Sequence, residues 1–402
     1  MQTISLEKQT ESLMQGVVEL KPGGYTALLD LLKKAQSEKR QLRIKLGIDP
    51  TSSDLHLGHM VCIQKLRQFQ ELGHLPVLLI GGYTAQVGDP SGRNEARPPL
   101  SKDDVANYAK TYLDQVSRVI DLSQVELVNN ADWFDKFTMT DMVKLASKVT
   151  VNQMIAKEAF GKRLDAGQPL YAHEIIYPLL QGYDSVEIKA DIELGGTDQL
   201  FNLMVGRDLQ RNYGQEAQLC MTMPLLIGLD GAKKMSKTSQ NYIALNDSPQ
   251  DIFGKTMSIP DELILDYFTL AARASIEKVS SIQARLSSGE NPRFIKDELA
   301  REIVTIYYSQ EEAIKASENF VSLFKNKEIP EDIQEFKLNG NSVLADILVA
   351  SSLCESKGEA KRLIQGGGVK LDGNKLDNPQ MDLNDSIGKV LQAGKRKFVR
   401  LV

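Results

Sequence analysis

The chain has 402 residues and a formal net charge of -5. That length predicts two or three units around at least one sizeable core, and that charge excludes a protein that coats nucleic acid indiscriminately. No stretch approaches the roughly 20 apolar residues needed to cross a bilayer, and Met1–Glu7 lacks the basic and apolar regions of a secretory signal. Cys62, Cys220 and Cys354 lie too far apart for a metal-binding spacing, as expected of reduced thiols in a cytoplasmic protein. The charge is uneven: from Asn341 onward ten Lys and Arg face seven Asp and Glu, a net of +3 that leaves -8 for the rest. A basic tail on an acidic body permits RNA binding at selected surfaces.

In chain order, Ser5 to Leu20 reads as a helix, Pro22-Gly23-Gly24 interrupts it, and Tyr25 to Ser37 resumes with Leu28, Leu29, Leu31 and Leu32 on an apolar face. Arg43 to Ile48 alternates as a half-buried strand should, a helix follows from Met60 to Glu71, and Pro76 to Ile80 is the continuous apolar run of a buried parallel strand. Strand, helix and strand open an α/β sheet whose ligand crevice lies at the carboxyl ends of the strands.

The turn between the first of those strands and its helix is His56-Leu57-Gly58-His59. A strand-to-helix turn presents free backbone N–H groups and a positive dipole end, which suits a phosphate, and Gly58 lets it come close; a solvated loop, or histidines that satisfy core hydrogen bonds, is the plain alternative. The loop Gly81 to Arg93 leaves at the same edge, so Thr84 and Asp89 are either partners for an amine or hydroxyl or parts of a flexible connection.

Ser101 with Asp104 starts a helix that runs to about Ile120, and Val125 to Val128 is a short strand. Trp133, the single tryptophan, reads as packing rather than binding. Thr138 to Ala159 is largely helical, and Lys157, Lys162 and Arg163 read as a solvated face or a minor RNA contact. Tyr177, Gln181 and Asp184 fall at i, i+4 and i+7 of the next helix, so they share one face. Leu194 to Gln199 then ends a strand and starts a helix to about Tyr213, with Thr197 as its cap and paired glycines that admit a planar ring or ribose. Gly231 to Gln240, with Lys233, Lys234 and Lys237, is either a solvated surface loop or one that folds over a polyphosphate. Helical spacing dominates from Ser248 to about Ser322, and the polar stretch from Lys325 to Asn341 suggests a linker before a compact last unit.

Together, His56-Leu57-Gly58-His59 and Lys234-Met235-Ser236-Lys237-Thr238 resemble the two signature motifs of class I aminoacyl-tRNA synthetases. The tyrosyl-tRNA synthetase family is the closer match, through Gly47-x-Asp49-Pro50-Thr51, Gly88-Asp89-Pro90-Ser91-Gly92, Tyr177-x-x-x-Gln181-Gly182-Tyr183-Asp184 and Gly195-Gly196-Thr197-Asp198-Gln199. Ser356 to Ile364 and Gly367 to Gly373 resemble an S4 RNA-binding domain. The resemblance covers essentially the whole chain. It implies a Rossmann-like parallel-sheet α/β catalytic domain with a dimerisation insertion (residues 1–228), then a mobile lysine loop with a helical anticodon-binding domain (229–325). A linker (326–341) and a small α+β S4-like RNA-binding domain (342–402) would complete the chain.

The family's chemistry implies ATP-dependent activation of L-tyrosine and transfer to tRNA(Tyr), with His56, His59, Lys234 and Lys237 catalytic. Thr51, Gly58, Gly195, Asp198, Met235 and Ser236 would bind ATP, the glycine and Asp198 at the ribose. Asp89, Tyr177 and Gln181 would hold the tyrosine ammonium, Asp184 the phenolic hydroxyl, Gln199 the reacting carboxylate, with Asp49 at the pocket edge and Thr84 lining it. Lys357, Lys361, Arg362 and Lys370 are the RNA-binding candidates. ATP would arrive with Mg2+ as a substrate complex, with no tightly bound cofactor and no dedicated metal site. A cytoplasmic homodimer is the expectation, with helices between about Asp104 and Gly161 at its interface and no membrane association. Lys45 stands where many family members place a tyrosine against the substrate hydroxyl, Cys62 where Thr or Pro is frequent, and Thr238 for the usual final Ser of the lysine signature. The competing readings are a tryptophanyl relative, a noncatalytic RNA-binding regulator that kept the scaffold, and a small-molecule adenylyltransferase.

Overall fold

Arg43–Ile48 (β2) is buried on both faces rather than one, because it lies in the middle of the sheet that organises the chain. The computed structural model describes residues 4–51, 54–91, 100–325, 333–338, 343–394 and 397–402. The N-terminal segment forms helix α1 (Leu6–Met14) and then strand β1 (Glu19–Lys21), not the single helix its periodicity predicts. The Val18 N–H donates to Thr222 O at 2.9 Å, so pairing with the sheet overrides local propensity there. Helix α2 (Gly24–Glu38) leads into β2, and α3 (Leu57–Glu71) leads back to β3 (Leu75–Ile80). After α4 (Thr84–Val87) and α5 (Lys102–Val116) comes β4 (Glu126–Asn129), followed by α6 (Ala131–Phe134), α7 (Met139–Ala146), α8 (Val151–Ile155) and α9 (Glu158–Asp165). The long α10 (Ala172–Ile188) then precedes β5 (Ile192–Gly196), α11 (Leu200–Asn212) and β6 (Leu219–Met223).

The six strands run in the order β1-β6-β5-β2-β3-β4, with every pairing parallel except β1 against β6. The order reverses between β2 and β5. In an open parallel sheet that reversal leaves a crevice at the carboxyl ends of the two strands, and here those ends carry Asp49 and Gly195.

Helices α12 (Pro249–Met257), α13 (Ile264–Leu270), α14 (Ile276–Ser287) and α15 (Pro292–Tyr307) form the predicted helical region, with Ile252, Phe253, Leu299 and Ile303 fully buried. The chain forms two compact units, Met1–Ala316 and Ser317–Val402, and the division falls inside α16 (Gln310–Lys325). Most of the expected linker lies outside the described residues, but Glu335–Phe336 (β7) is part of the tail unit's sheet. That unit adds α17 (Leu344–Ala350), α18 (Lys357–Gln365), β8 (Val369–Leu371), β9 (Asn374–Lys375), β10 (Val390–Ala393) and β11 (Lys397–Leu401). Its sheet runs β7-β11-β10-β8-β9, and Leu344, Leu348, Ile364, Val369, Leu391 and Leu401 make its core. Among the described residues no helix is long and apolar enough to cross a membrane.

Candidate active site

The crevice is a cavity of about 1020 Å³. A single small ligand commonly occupies roughly 300–1,000 Å³, so this one has room for an amino acid and a nucleotide together. Every residue assigned from the sequence to catalysis, ATP or tyrosine lines it, as do Lys45 and Cys62. The four RNA-binding candidates lie in the tail unit: Lys361 and Arg362 are exposed on α18, Lys370 is half-buried in β8, and Lys357 pairs with Asp346 at 2.7 Å.

One end of the cavity is a closed polar network. The Tyr177 hydroxyl donates to Asp49 Oδ2 and the Thr84 hydroxyl to Asp49 Oδ1, both at 2.8 Å. Asp49, half-buried where it lines the cavity, therefore also ties α10 to α4. Gly81 makes that possible, since a Cβ there would fall 1.9 Å from Asp49 Oδ1. Asn130 Nδ2 donates to Thr84 Oγ1 at 2.9 Å and to Asp184 Oδ2 at 3.2 Å, and Trp133 Nε1 donates to Asp184 Oδ1 at 3.1 Å. Trp133 packs against Val77, Leu79 and Ile188 as expected, and its indole N–H also holds the Asp184 carboxyl. Burial pushes the Asp184 carboxyl up to about 8, against the opposing pull of Lys45 and the donors Asn130 and Trp133.

A second network joins Asp89, Gln181, Gln199 and Asn202. Gln199 Nε2 donates to Asp89 Oδ2 at 2.8 Å, and Asn202 Nδ2 donates to Gln181 Oε1 at 2.9 Å and to Gln199 Oε1 at 3.1 Å. Lys157, expected on a solvated face, is instead buried behind this network and donates to Ser91 Oγ at 2.8 Å and Asn202 Oδ1 at 3.2 Å. Its companion Arg163 is buried against Glu174, while Lys162 is exposed. Asn130, Asn202 and Lys157 were not singled out as site residues. The rule that put ligands at strand ends would have found Asn130, which directly follows β4; for Lys157 no pattern distinguishes a buried lysine from a surface one.

At the histidine turn, α3 starts one turn earlier than its apolar spacing suggests, with His56 as its extended N-cap. The His56 backbone N–H donates to His59 Nδ1 at 3.2 Å. A ring nitrogen that accepts this bond carries no proton, so the His59 proton sits on Nε2. Burial, then His59 and Lys237, push His56 down to about 2, so it is a neutral imidazole at physiological pH. Gly58 packs under its ring, where a Cβ would lie 3.0 Å from His56 Nδ1. Burial above all pushes the Cys62 thiol up to about 12, so it remains protonated.

The lysine loop is bridged by the Asn241 side chain. Asn241 Oδ1 accepts from Ser236 N at 2.9 Å, and its Nδ2 donates to Asp230 Oδ2 at 3.0 Å and to the Lys233 and Lys234 carbonyls at 3.2 Å. Met235 is buried beneath it. Lys234 Nζ rests 3.4 Å from Asp198 Oδ2, and Lys237 Nζ 3.5 Å from Asp54 Oδ2. Among the described residues no group of three or more His, Cys, Asp or Glu is placed to hold a metal ion. The site as a whole offers histidine donors and two lysines at one end, and a buried carboxylate at the other.

The profile of the family described as tRNA synthetases class I (W and Y) matches residues 36–325, and that of the S4 domain matches residues 344–386. The tyrosine–tRNA ligase of Symbiobacterium thermophilum is 47% identical over 403 residues, covering 99% of this chain and 98% of that protein. That of Thermotoga maritima is 46% identical, covering 98% and 97%. Among solved structures, a C-terminally truncated mitochondrial tyrosyl-tRNA synthetase from Aspergillus nidulans superposes with a TM-score of 0.64 at 20% identity, over 80% of this chain and 94% of that one. The tyrosyl-tRNA synthetase of Archaeoglobus fulgidus, solved with L-tyrosine, gives 0.61 at 22% identity, over 78% and 100%. At that identity the two structures speak for the fold alone.

Proposed function

The chain belongs to the tyrosine–tRNA ligases of class I, and we propose that its residues divide the activation of L-tyrosine and its transfer to tRNA(Tyr) as follows. The tyrosine ring enters between α10 and the sheet, with its phenolic hydroxyl donating to Asp184. Tyr177, Gln181 and Asp89 hold its ammonium group, and Gln199 lies beside its carboxylate. Gly195 and Asp198 take the ribose of ATP, and Thr51, Gly58, Met235 and Ser236 border the nucleotide.

The tyrosine carboxylate attacks the α-phosphorus of ATP, giving tyrosyl-adenylate and pyrophosphate. A carboxylate is already ionised near neutral pH, so this step needs no general base. What it needs is alignment and the stabilisation of charge on the transferring phosphoryl group. His59 Nε2 and neutral His56 donate to phosphate oxygens, and Lys234 and Lys237 leave their carboxylate partners to neutralise the pyrophosphate. Mg2+ comes with ATP as part of the substrate, held chiefly by phosphate oxygens and water. A terminal ribose hydroxyl of the tRNA then attacks the adenylate carbonyl, forming the tyrosyl ester as the acyl–phosphate bond breaks and AMP leaves with the hydroxyl proton passing to its phosphate or to water. The helical region and the exposed cations of the tail unit contact the tRNA, and the enzyme works as a homodimer.

The observation that carries this reading is the buried Asp184 carboxylate, held by Asn130 and Trp133 at the closed end of a cavity whose other end bears His56, His59 and both lysines. ATP–pyrophosphate exchange with each of the twenty amino acids tests it. Exchange supported by tyrosine is expected; exchange supported by tryptophan, or by none while tRNA still binds, would overturn it.

A further inference from the structure

Lys45 and Glu193 face each other on β2 and β5, the two strands at which the sheet reverses. Both are buried, with Lys45 Nζ 2.9 Å from Glu193 Oε1. The same ammonium donates to the Gln181 carbonyl at 2.9 Å and to the Ser185 hydroxyl at 2.7 Å. An ammonium has three protons, and these three partners use them all. Lys45 therefore has none left for a substrate hydroxyl, although it lines the cavity. Glu193 is satisfied in turn: Oε2 accepts from Ser185 Oγ at 3.0 Å and from Gln218 Nε2, and Oε1 accepts from Gln181 Nε2 at 3.3 Å.

A buried ion pair contributes little net stability, since desolvation offsets its attraction and an apolar pair of similar volume is frequently as good. Its position is more informative. Gln181 and Ser185 bracket Asp184 on α10, so the pair grips the turn of helix that carries the recognition carboxylate. We propose that Lys45 is a positioning residue for tyrosine selection: paired with Glu193 beneath α10, it fixes the Gln181–Ser185 turn and supplies positive charge that favours the ionised form of Asp184, the better acceptor for the phenolic hydroxyl. This rests on the assignment of Asp184 to the phenol end of tyrosine.

The charged groups that act on Asp184 are Lys45 from β2, which favours its ionised form, and Glu193 from β5, which opposes it. Asn130 and Trp133, on the β4 side, are neutral donors, and Asp49 is the third carboxylate of the network, beyond Thr84. The two members of the pair thus push Asp184 in opposite directions, with Lys45 the stronger. An ionised carboxylate is a much better acceptor for the phenol than a protonated one. The kcat/KM for tyrosine should therefore rise with pH through the titration of Asp184 in the free enzyme, while phenylalanine, lacking the hydroxyl, should not show that limb.

The test is pyrophosphate exchange with tyrosine and with phenylalanine from pH 6 to pH 9.5, on full-length Lys45→Met and Glu193→Gln. Lys45→Met should move the acid limb for tyrosine up by about one pH unit, a roughly tenfold change in the ionisation equilibrium. It should lower the tyrosine-to-phenylalanine preference at pH 7, with partial recovery at high pH. If Glu193 takes up a proton in that variant, the shift is smaller but still upward. Glu193→Gln should move the limb the other way. Losses that are equal for both amino acids, with the limb unmoved, would reduce the pair to structural support and overturn the proposal. Should Lys45→Met fail to fold, Glu193→Gln decides alone: an unmoved or raised limb sinks the idea. Failure of the underlying assignment is separate, because it would appear as an unchanged tyrosine preference in Asp184→Asn, whatever Lys45 does.

Discussion

The Lys234 ammonium rests 3.4 Å from Asp198 Oδ2, so the loop cation proposed for the pyrophosphate lies on the carboxylate proposed for the ribose. Both side chains are partly exposed, and such a pair stabilises by no more than about 1 kcal/mol. Exchanging it for substrate contacts is therefore cheap. Lys234→Ala should change KM for ATP and for tyrosine by less than about fivefold. Adenylate formation should slow by roughly 100-fold or more, since an aimed donor at a developing charge is worth about 3 kcal/mol. Single-turnover kinetics separate the two effects, and a loss that is equal in binding and rate would contradict a transition-state role.

Asp184→Asn keeps the shape of the site but offers the phenol a neutral acceptor and faces Asn130 and Trp133 with an amide. Above about pH 8, where Asp184 is ionised, the preference for tyrosine over phenylalanine should fall by at least tenfold, mostly through tyrosine, as the loss of one hydrogen bond to a charged group of about 1.5–3 kcal/mol requires. Relative kcat/KM values in the exchange assay read it directly. An unchanged ratio would remove Asp184 from the hydroxyl-binding role.

The strand-helix-strand opening and the face shared by Tyr177, Gln181 and Asp184 were legible because periodicity of two and of 3.6 is set by local geometry. That the histidine turn lines the cavity was legible for a related reason, since His56, Gly58 and His59 sit within one turn of chain. What escaped depends on distant contacts. β1 exists only because β6 lies beside it, Trp133 meets Asp184 across 51 residues of sequence, and Lys157 is buried by partners on the loop and α11. Lys45 was visible as a departure at a family position, but its pairing follows from the β2–β5 register, which no local pattern encodes.

His56 gives an expectation for stability against pH. Its folded-state pKa is depressed to about 2, whereas an unfolded histidine titrates near 6.5. Below that value the unfolded chain binds a proton that the native state refuses, so stability falls as pH falls from about 6.5. Between pH 7 and pH 5 the loss attributable to His56 is about 2 kcal/mol. Denaturant unfolding of the protein and of His56→Gln at both pH values measures it: the variant should lose about 2 kcal/mol less than the parent over that interval. Parallel losses would show that the native site admits the imidazolium.

Lys361 and Arg362 are exposed on α18 with no ion pair recorded among the described residues, unlike Lys357, which is paired with Asp346. Charge reversal at both, Lys361→Glu with Arg362→Glu, should leave tyrosine-dependent exchange unchanged, because that half-reaction needs no RNA. It should raise KM for tRNA in aminoacylation by tenfold or more and flatten the dependence of tRNA binding on salt. An unchanged salt slope would exclude these cations from phosphate contact.

Asn241 decides whether the lysine loop acts through its charge alone or also through its shape. The side chain is buried and bonds to four loop groups, Asp230, Lys233, Lys234 and Ser236. Asn241→Ala would leave the loop's lysines in place but orphan the Ser236 N–H and two carbonyls, each costing about 1–3 kcal/mol if it stays buried. The loop can relieve that cost by opening to water, while the sheet and its core stay intact. Adenylate formation should therefore slow by at least tenfold with KM for tyrosine unchanged. Limited proteolysis at Lys233 and Lys234 should quicken, and the global unfolding midpoint should barely move. A wild-type rate with a faster-cleaved loop would mean that charge near the phosphates suffices and that the Asn241 clasp has no part in catalysis.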